Sequence, residues 1–248
     1  MATIREVAPG AGLGWLKAGW QDFLRVPALS LAHGLAMVVA MGLIIAIGYS
    51  HAALLAGAFS GFVLVAPGLL VGMYAQSRAL ERGEATGLPT VRATWRRAGP
   101  VTLRFGLLLA LVGSAWVACS SLIVSVGADP ALLAESGGVR AYLAFFAGHS
   151  SPMLFWLWLL AGGMLASLVF AASAISLPML IDRSVSVRQA TSVSISAVGS
   201  NPVAAALWAL IIMALTLLAV ASVVGLVVVM PVLGHASWHA YRGLVDAA

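Results

Sequence analysis

The sequence predicts an all-α protein, a bundle of transmembrane helices, and three observations lead to this fold class. Hydrophobic residues make up 62% of the 248-residue chain and charged residues only 8%, whereas a soluble domain carries about 25% charged residues. The apolar stretches are continuous rather than alternating, which favours helices over barrel strands. Four long stretches contain no charged residue: Val26–Ser77, Phe105–Ala128, Ala141–Ile181 and Gln189–Tyr241.

Six transmembrane spans are predicted, because a helix needs roughly 20 apolar residues to cross a bilayer. No charged turn separates the last two spans, and only Ser222 and Gly225 signal a break between them. Five spans therefore remain the alternative. The six predicted spans are Ala28–Tyr49, Ala53–Ser77, Val101–Val126, Met153–Ile181, Val203–Ala219 and Val223–Ala240.

Basic residues predict which side of the membrane each connection faces. They cluster before the first span, between the second and third spans, and after the fourth. The positive-inside rule assigns these segments to the cytoplasm, so we expect an inner-membrane protein with a cytoplasmic N-terminus. Six spans would bring Arg242 and the C-terminus to the same side. This distribution explains the formal charge of +5 better than nucleic-acid binding does.

Three repeat units are predicted within a single membrane domain: residues 1–82, 83–185 and 186–248. Each unit would form a helical hairpin preceded by an amphipathic helix that lies in the cytoplasmic interface. A proline follows each amphipathic segment, where the first turn of a helix tolerates it well; these are Pro27, Pro100 and Pro202. The returning spans carry a second proline, which we expect to kink them: Pro67, Pro178 and Pro231.

Two further sets of residues are predicted to position the helices. Small residues let helix backbones approach closely, and four glycines of the second span share one helical face: Gly57, Gly61, Gly68 and Gly72. Aromatic and basic side chains at the ends of helices favour the headgroup level of a bilayer. The predicted interface anchors are Trp20, Trp95, Trp238, Tyr241 and Arg242.

Three histidines are the candidate cofactor ligands. His235 and His239 lie one helical turn apart, and His33 is expected at a similar depth. Neutral imidazole is a common ligand of haem and of metals. The alternative is structural, in which the histidines bond neighbouring helices, because no carboxylate or cysteine completes a site. The sequence contains no signature of a soluble enzyme, and we expect neither an enzyme nor a resident cofactor.

Three stretches resemble a bacterial family of predicted integral membrane proteins, domain of unknown function 2189. They are "GWQDFLRVPALSLAHGL", "LPMLIDRSVSVRQATSVSISAVGSNP" and "MPVLGHASWHAYRGLV". Members have been labelled as proposed subunits of cytochrome c oxidase. The resemblance therefore implies a link to respiratory membranes, but this chain has too few spans and histidines for a haem–copper catalytic subunit.

The first functional hypothesis is a non-catalytic inner-membrane protein that packs against, or helps to assemble, a larger complex such as a respiratory one. The second is a transporter for a neutral or amphipathic molecule, because proline-interrupted helices often line binding sites. The third is haem or metal binding through His33, His235 and His239. The expected partners are the lipid bilayer and another membrane protein.

Overall fold

The computed structural model describes residues 3–48, 70–127, 145, 147, 151–220 and 222–246. These residues are helical apart from short connections and one isolated antiparallel bridge between Ile4 and Val245. The all-α prediction is confirmed. The helices are α1 (Ala11–Arg25), α2 (Pro27–Gly48), α3 (described over residues 70–82), α4 (Leu88–Gly127), α5 (Pro152–Ser173), α6 (Ser176–Asp182), α7 (Val187–Ser200), α8 (Pro202–Val220) and α9 (Val223–Leu244).

Several of these helices are long and apolar enough to cross a membrane. Three candidate spans are Leu88–Gly127, Pro152–Asp182 and Pro202–Ala219. A fourth is the pair formed by α1 and α2, which meet at an angle of 106°. Most of the second predicted span falls on residues 49–69, outside the described residues. The protein is therefore a helical membrane protein with three to four candidate spans among the residues described.

The prolines that open the predicted hairpins do not all act in the same way. Val26 and Asn201 leave the helical conformation, with φ/ψ of −131°/53° and −130°/52°, and a new helix begins at the following proline. A residue before proline disfavours the helical region, which explains both breaks. The predicted break at Pro100 is wrong, because α4 is a single helix of 40 residues that contains Pro100. There the proline removes one backbone hydrogen bond, and the amphipathic segment forms the first turns of α4 rather than a separate interfacial helix.

Three-dimensional contacts divide the chain into two compact units. The first unit contains Met1–Val39, Ala66–Phe105 and Phe170–Ala248, and the second contains Ala40–Val65 and Gly106–Val169. This division cuts through helices, whereas the three sequence repeats begin and end between helices. The repeat boundaries at residues 82 and 185 therefore stay a prediction.

In the first unit, α1 packs along α9 with very little space between the two backbones. A Cβ atom placed on Gly19 would lie only 2.5 Å from the backbone nitrogen of Ala236. Trp15 packs edge-on against Trp208 of α8, with ring centroids 5.7 Å apart. The face of α1 that is buried contains Gly19 and Asp22, while Leu13 and Leu24 are exposed.

The N-terminal segment joins the C-terminal end of the chain. The backbone nitrogen of Arg5 donates to the carbonyl of Leu244 at 2.9 Å, and that of Asp246 donates to the carbonyl of Thr3 at 3.0 Å. The side chain of Asn201 accepts from the backbone of Val7 at 2.8 Å and donates to the carbonyl of Arg5 at 2.9 Å. The two ends of the described chain therefore lie side by side.

The second unit is held by aromatic contacts between α4 and α5. Val124 and Phe145 are its buried centre, and Trp158 packs against them. The indole nitrogen of Trp158 donates to the hydroxyl of Ser120 at 2.6 Å. The side chains of α5 are exposed or only partly buried, although the helix is strongly apolar.

Candidate functional site

The last three turns of α9 bring polar side chains into the interior of the first unit. His235, Trp238 and Tyr241 are almost completely buried. Four residues before Pro231, the carbonyl of Val227 lacks its usual helical donor, because proline has no N–H. Gly34 of α2 lies directly against this carbonyl: a Cβ on Gly34 would be 2.0 Å from its oxygen. The proline and the glycine together let α2 and α9 approach closely.

His235 connects three helices through both of its ring nitrogens. Nε2 lies 3.0 Å from the hydroxyl of Ser30 on α2, and Nδ1 lies 2.8 Å from the hydroxyl of Ser77 on α3. A neutral imidazole offers one donor and one acceptor, so it can satisfy one hydroxyl as a donor and the other as an acceptor. A buried polar group is costly when it is unpaired, and here each one is paired.

His239 extends this group of side chains to α1. Its Nε2 lies 2.8 Å from a carboxylate oxygen of Asp22, which is itself buried. Asp22 lies on α1, before the bend into the first predicted span. Burial raises the pKa of the Asp22 carboxyl, but hydrogen bonds from His239 and Ser77 outweigh it, so that the pKa lies below its usual value. Asp22 therefore remains ionised and fixes α1 against α9.

Two neighbouring side chains of α9 share one carboxylate of α3. The indole nitrogen of Trp238 donates to Glu81 Oε2 at 2.9 Å, and Arg242 Nε donates to Glu81 Oε1 at 2.8 Å. These bonds use both carboxylate oxygens. They explain why the Trp238 ring lies inside the protein.

Asp182, at the end of α6, is the centre of a second ionic cluster. Its Oδ1 accepts from Arg78 Nε at 3.1 Å and from Arg82 Nη2 at 3.0 Å. Its Oδ2 accepts from the Tyr241 hydroxyl at 2.8 Å, and that hydroxyl accepts from Arg183 Nε at 2.9 Å. Burial and the adjacent carboxylate of Asp182 raise the pKa of Tyr241. Helices α3, α6 and α9 are thereby joined at one end of the unit.

Breaks in the helices are also filled by side chains. Between α5 and α6, the hydroxyl of Ser194 accepts from the backbone nitrogen of Ile175 at 3.1 Å and donates to the carbonyl of Ala171 at 2.6 Å. The Ser194 hydroxyl thus replaces the helical hydrogen bond between Ile175 N–H and the Ala171 carbonyl, three residues before Pro178. In α9 the helix continues through Pro231. The kink predicted at Pro67 lies outside the described residues.

The three predicted histidines come near one another, but their donor atoms do not fit a haem or a metal. Both ring nitrogens of His235 face hydroxyls, and Nε2 of His239 faces a carboxylate. Nδ1 of His33 donates to the carbonyl of Leu29 at 2.7 Å, and its Nε2 lies against Gly72. Within the described ranges, no group of three His, Cys, Asp or Glu residues is arranged to hold a metal ion. We therefore do not propose ligation at this site.

The remaining predicted site residues are distributed as follows. Gly72 does allow a close contact, with the ring of His33 rather than with a helix backbone. Trp20 is exposed and stacks on Phe23, and the half-buried ring of Trp95 lies over Gly99. Gly57, Gly61 and Gly68 lie outside the described residues.

The rings of Trp238 and Tyr241, two of the predicted interface anchors, are buried in protein, and their role as anchors stays a prediction. Arg242 is half-buried and paired with Glu81.

Sequence reasoning missed most of the partners of these side chains. Asp22 is buried beside Gly19 and Phe23, although the other charged residues of α1, Lys17 and Arg25, are exposed. Ser30 and Ser77 carried no signal within their apolar spans. The one available signal for Asp182 and Glu81 was their position: they are carboxylates within otherwise basic segments. The partners of α9 lie up to 217 residues away in the chain.

The geometry defines a class of protein, a helical membrane protein whose interior polar side chains fasten its own helices together. Comparison with known families agrees with this class. The model of the family described as "Predicted integral membrane protein (DUF2189)" matches residues 54–182. This range covers just over half of the chain, and the protein belongs to this family. The match does not include the closing stretch of α9. No curated protein and no solved structure shows significant similarity to the chain.

Proposed function

We propose that the protein is a non-catalytic accessory or assembly subunit that packs against a larger complex in the bacterial inner membrane. One observation carries the proposal: the 22 residues of α5 include none that is buried within the protein. One side of α5 packs against α4 through Trp158, and the remaining side, where Gly163 and Met164 lie, is open to lipid or to another protein. The small residues of α5 favour a protein partner.

Gly163 and Ser167 of α5 form a small-xxx-small pair, which allows a second helix to approach closely. A Cβ placed on Gly163 would meet no atom within 4 Å. The hydroxyl of Ser167 donates to the carbonyl of Gly163 at 2.8 Å, so this face presents no unsatisfied donor to the membrane. Leu160 and Met164 stand beside the pair and are exposed, where they can pack around an incoming helix.

The non-catalytic part of the proposal is supported by the way the buried polar groups are used. His235, His239 and Asp22 bond one another's helices, and Asp182 is surrounded by arginines and a tyrosine. Side chains held in this way stabilise a fold. A catalytic acid, base or nucleophile would instead need access to a substrate.

A six-span topology of three hairpins is part of the proposal. The pairing of Thr3–Arg5 with residues 244–246 supports an even number of spans, because both ends must then lie on one side of the membrane. The side chain of Ser222 accepts a hydrogen bond from the backbone of Gly225, and α9 begins at the next residue. This break supports two separate spans, α8 and α9, over the stretch that the five-span alternative treats as one. The matching conformations of Val26 and Asn201 favour a repeat.

The positive-inside rule favours the cytoplasm for both ends. A reporter domain fused to the C-terminus tests this orientation: we expect activity of a cytoplasmic reporter, and activity of a periplasmic reporter would contradict it.

Transport is the second candidate function, and the broken helix at Ala174–Ile175 favours it, since interrupted helices often line transport sites. In this protein, however, the hydroxyl of Ser194 occupies the backbone groups at the break. A substrate would have to displace it. Uptake of labelled neutral solutes into vesicles containing the protein, compared with empty vesicles, tests this alternative.

The proposed partner is a membrane complex, and the label of its family points to respiratory membranes. The test is purification in a mild detergent, followed by native mass spectrometry of the intact particle. We expect a complex of fixed stoichiometry that contains at least one other membrane protein. A homogeneous particle that contains this chain alone would contradict an accessory role.

A further inference from the structure

A cavity of about 280 Å³ lies in the first unit, at the end where the ionic cluster of Asp182 is found. One wall belongs to the early turns of α4, and the other to the end of α6 and the residues that follow it. Apolar side chains line it beside charged ones, which is the pattern expected at headgroup level. The lining residues are Arg97, Ala98, Val101, Leu180, Asp182, Arg183, Ser184 and Val185.

Positive charge exceeds negative charge around this cavity. Arg78, Arg82 and Arg183 contact Asp182, and Arg242 contacts both Asp182 and Glu81. Arg97 faces the charges of this cluster and also that of Glu84. Five guanidinium groups therefore face three carboxylates, a formal excess of two positive charges. Among the described residues of this cluster, the carboxylates do not neutralise the arginines.

The guanidinium groups that line the cavity are held in place before any ligand binds. Arg97 Nη2 donates to the carbonyl of Ile181 at 2.8 Å, which leaves its other N–H groups available. Arg183 is largely buried, donates to Tyr241 at 2.9 Å and lies over the Tyr241 ring at 5.9 Å. The exposed Ser184 adds a hydroxyl at the rim. Planar guanidinium donors match the oxygens of a phosphate group, and fixing them beforehand reduces the entropy lost on binding.

We propose that this cavity binds the phosphate group of an anionic phospholipid. Val101 marks the start of an apolar segment of α4, and Leu180 lies on the opposite wall. A lipid phosphate held between Arg97 and Arg183 would place its acyl chains beside these apolar residues. A soluble phosphate would use the same donors but gain nothing from the apolar wall, and this difference separates the two sources.

The test uses the full-length protein in a neutral detergent, titrated with phosphatidylglycerol, phosphatidylcholine or inorganic phosphate and monitored by native mass spectrometry. Arg97→Gln removes one donor, and Arg92→Gln removes an exposed arginine of the same helix as its control. Ser184→Glu places a negative charge at the rim without removing a helix contact, and Ser192→Glu makes the same change on the exposed side of α7.

We expect phosphatidylglycerol to bind the unaltered protein more tightly than phosphatidylcholine. R97Q should weaken phosphatidylglycerol binding roughly tenfold through the loss of a charge-assisted contact, and S184E should weaken it to a similar extent through repulsion of the phosphate. R92Q and S192E should leave it unchanged. Equal binding of phosphatidylglycerol by all four variants would overturn the proposal. If inorganic phosphate binds as strongly as phosphatidylglycerol, the proposal that the phosphate group belongs to a lipid would be overturned.

Discussion

Replacing Gly34 by alanine should separate α2 from α9. The new Cβ would lie 2.0 Å from the carbonyl oxygen of Val227, 2.8 Å from its carbonyl carbon and 3.0 Å from Cγ of Pro231. Cβ atoms in proteins essentially never come closer than 3.0 Å to another heavy atom. The nearest obstacle is backbone, so no change of rotamer removes the clash. The two helices must move apart by at least about 1 Å, a large displacement for a close-packed interior.

The size of the effect follows from two opposing contributions. Overpacking of an interior costs about 1–3 kcal/mol, while alanine in place of glycine within a helix stabilises it by about 0.5–1 kcal/mol. We therefore expect the free energy of unfolding to fall by about 1–2 kcal/mol. The movement would also weaken the contact of His235 with Ser30, which joins the same two helices.

The assay is reversible unfolding in mixed micelles at increasing fractions of denaturing detergent, followed by tryptophan fluorescence. Gly42→Ala is the matched control, because Gly42 lies in the same helix and a Cβ there meets no atom within 4 Å. We expect G42A to be as stable as the unaltered protein or slightly more stable. Equal stability of G34A and G42A would refute the close approach of α2 and α9.

Three further predictions follow from the contacts of α9. Gly19→Ala should lower the unfolding free energy by about 1–2 kcal/mol, because overpacking outweighs the helix propensity gained with alanine, while Gly14→Ala, in open space on the same helix, should not; equal effects would contradict the packing of α1. Tyr241→Phe should lower it by about 1–3 kcal/mol, because the phenol bonds the buried Asp182, and unchanged unfolding in the same assay would argue against that bond. The lowered pKa of Asp22 contributes stability above the ordinary aspartate pKa that is lost as the pH falls through the lowered value. As the pH is lowered, the free energy of unfolding should therefore fall less steeply in Asp22→Asn than in the unaltered protein. Identical slopes for the two proteins would contradict an ionised Asp22.

The length and continuity of the apolar stretches were sufficient to predict several of the helices. Continuous apolar runs predicted α2 and α8 almost to their ends, and Ser222 with Gly225 marked the start of α9. The predicted helix break at Pro100 was wrong, because the sequence shows only the local free-energy cost of a proline within a helix. Whether that cost ends a helix depends on tertiary packing, which the sequence does not reveal.

The candidate site was harder to predict, because each of its bonds joins distant parts of the chain. The absence of a carboxylate near His239 in the sequence favoured a structural role for the histidines, yet Asp22 lies beside it in the fold. Trp238 has the sequence context of an interface anchor, but Glu81 accepts its N–H inside the protein. A polar residue near the end of a span has the same local sequence whether it anchors the helix at the membrane interface or bonds another helix inside the protein. Only the tertiary structure distinguishes these two roles.

The central claim, that α5 contacts another protein, is tested most directly by photo-crosslinking in native membranes. A photoreactive amino acid at Met164, which is 68% exposed on α5, is compared with one at Leu13, which is 65% exposed on α1. We predict a discrete adduct with a second membrane protein from Met164 and none from Leu13, and we predict that Gly163→Leu abolishes the adduct while leaving the protein folded. Crosslinks to lipid alone from Met164 would contradict the proposed role as an accessory subunit.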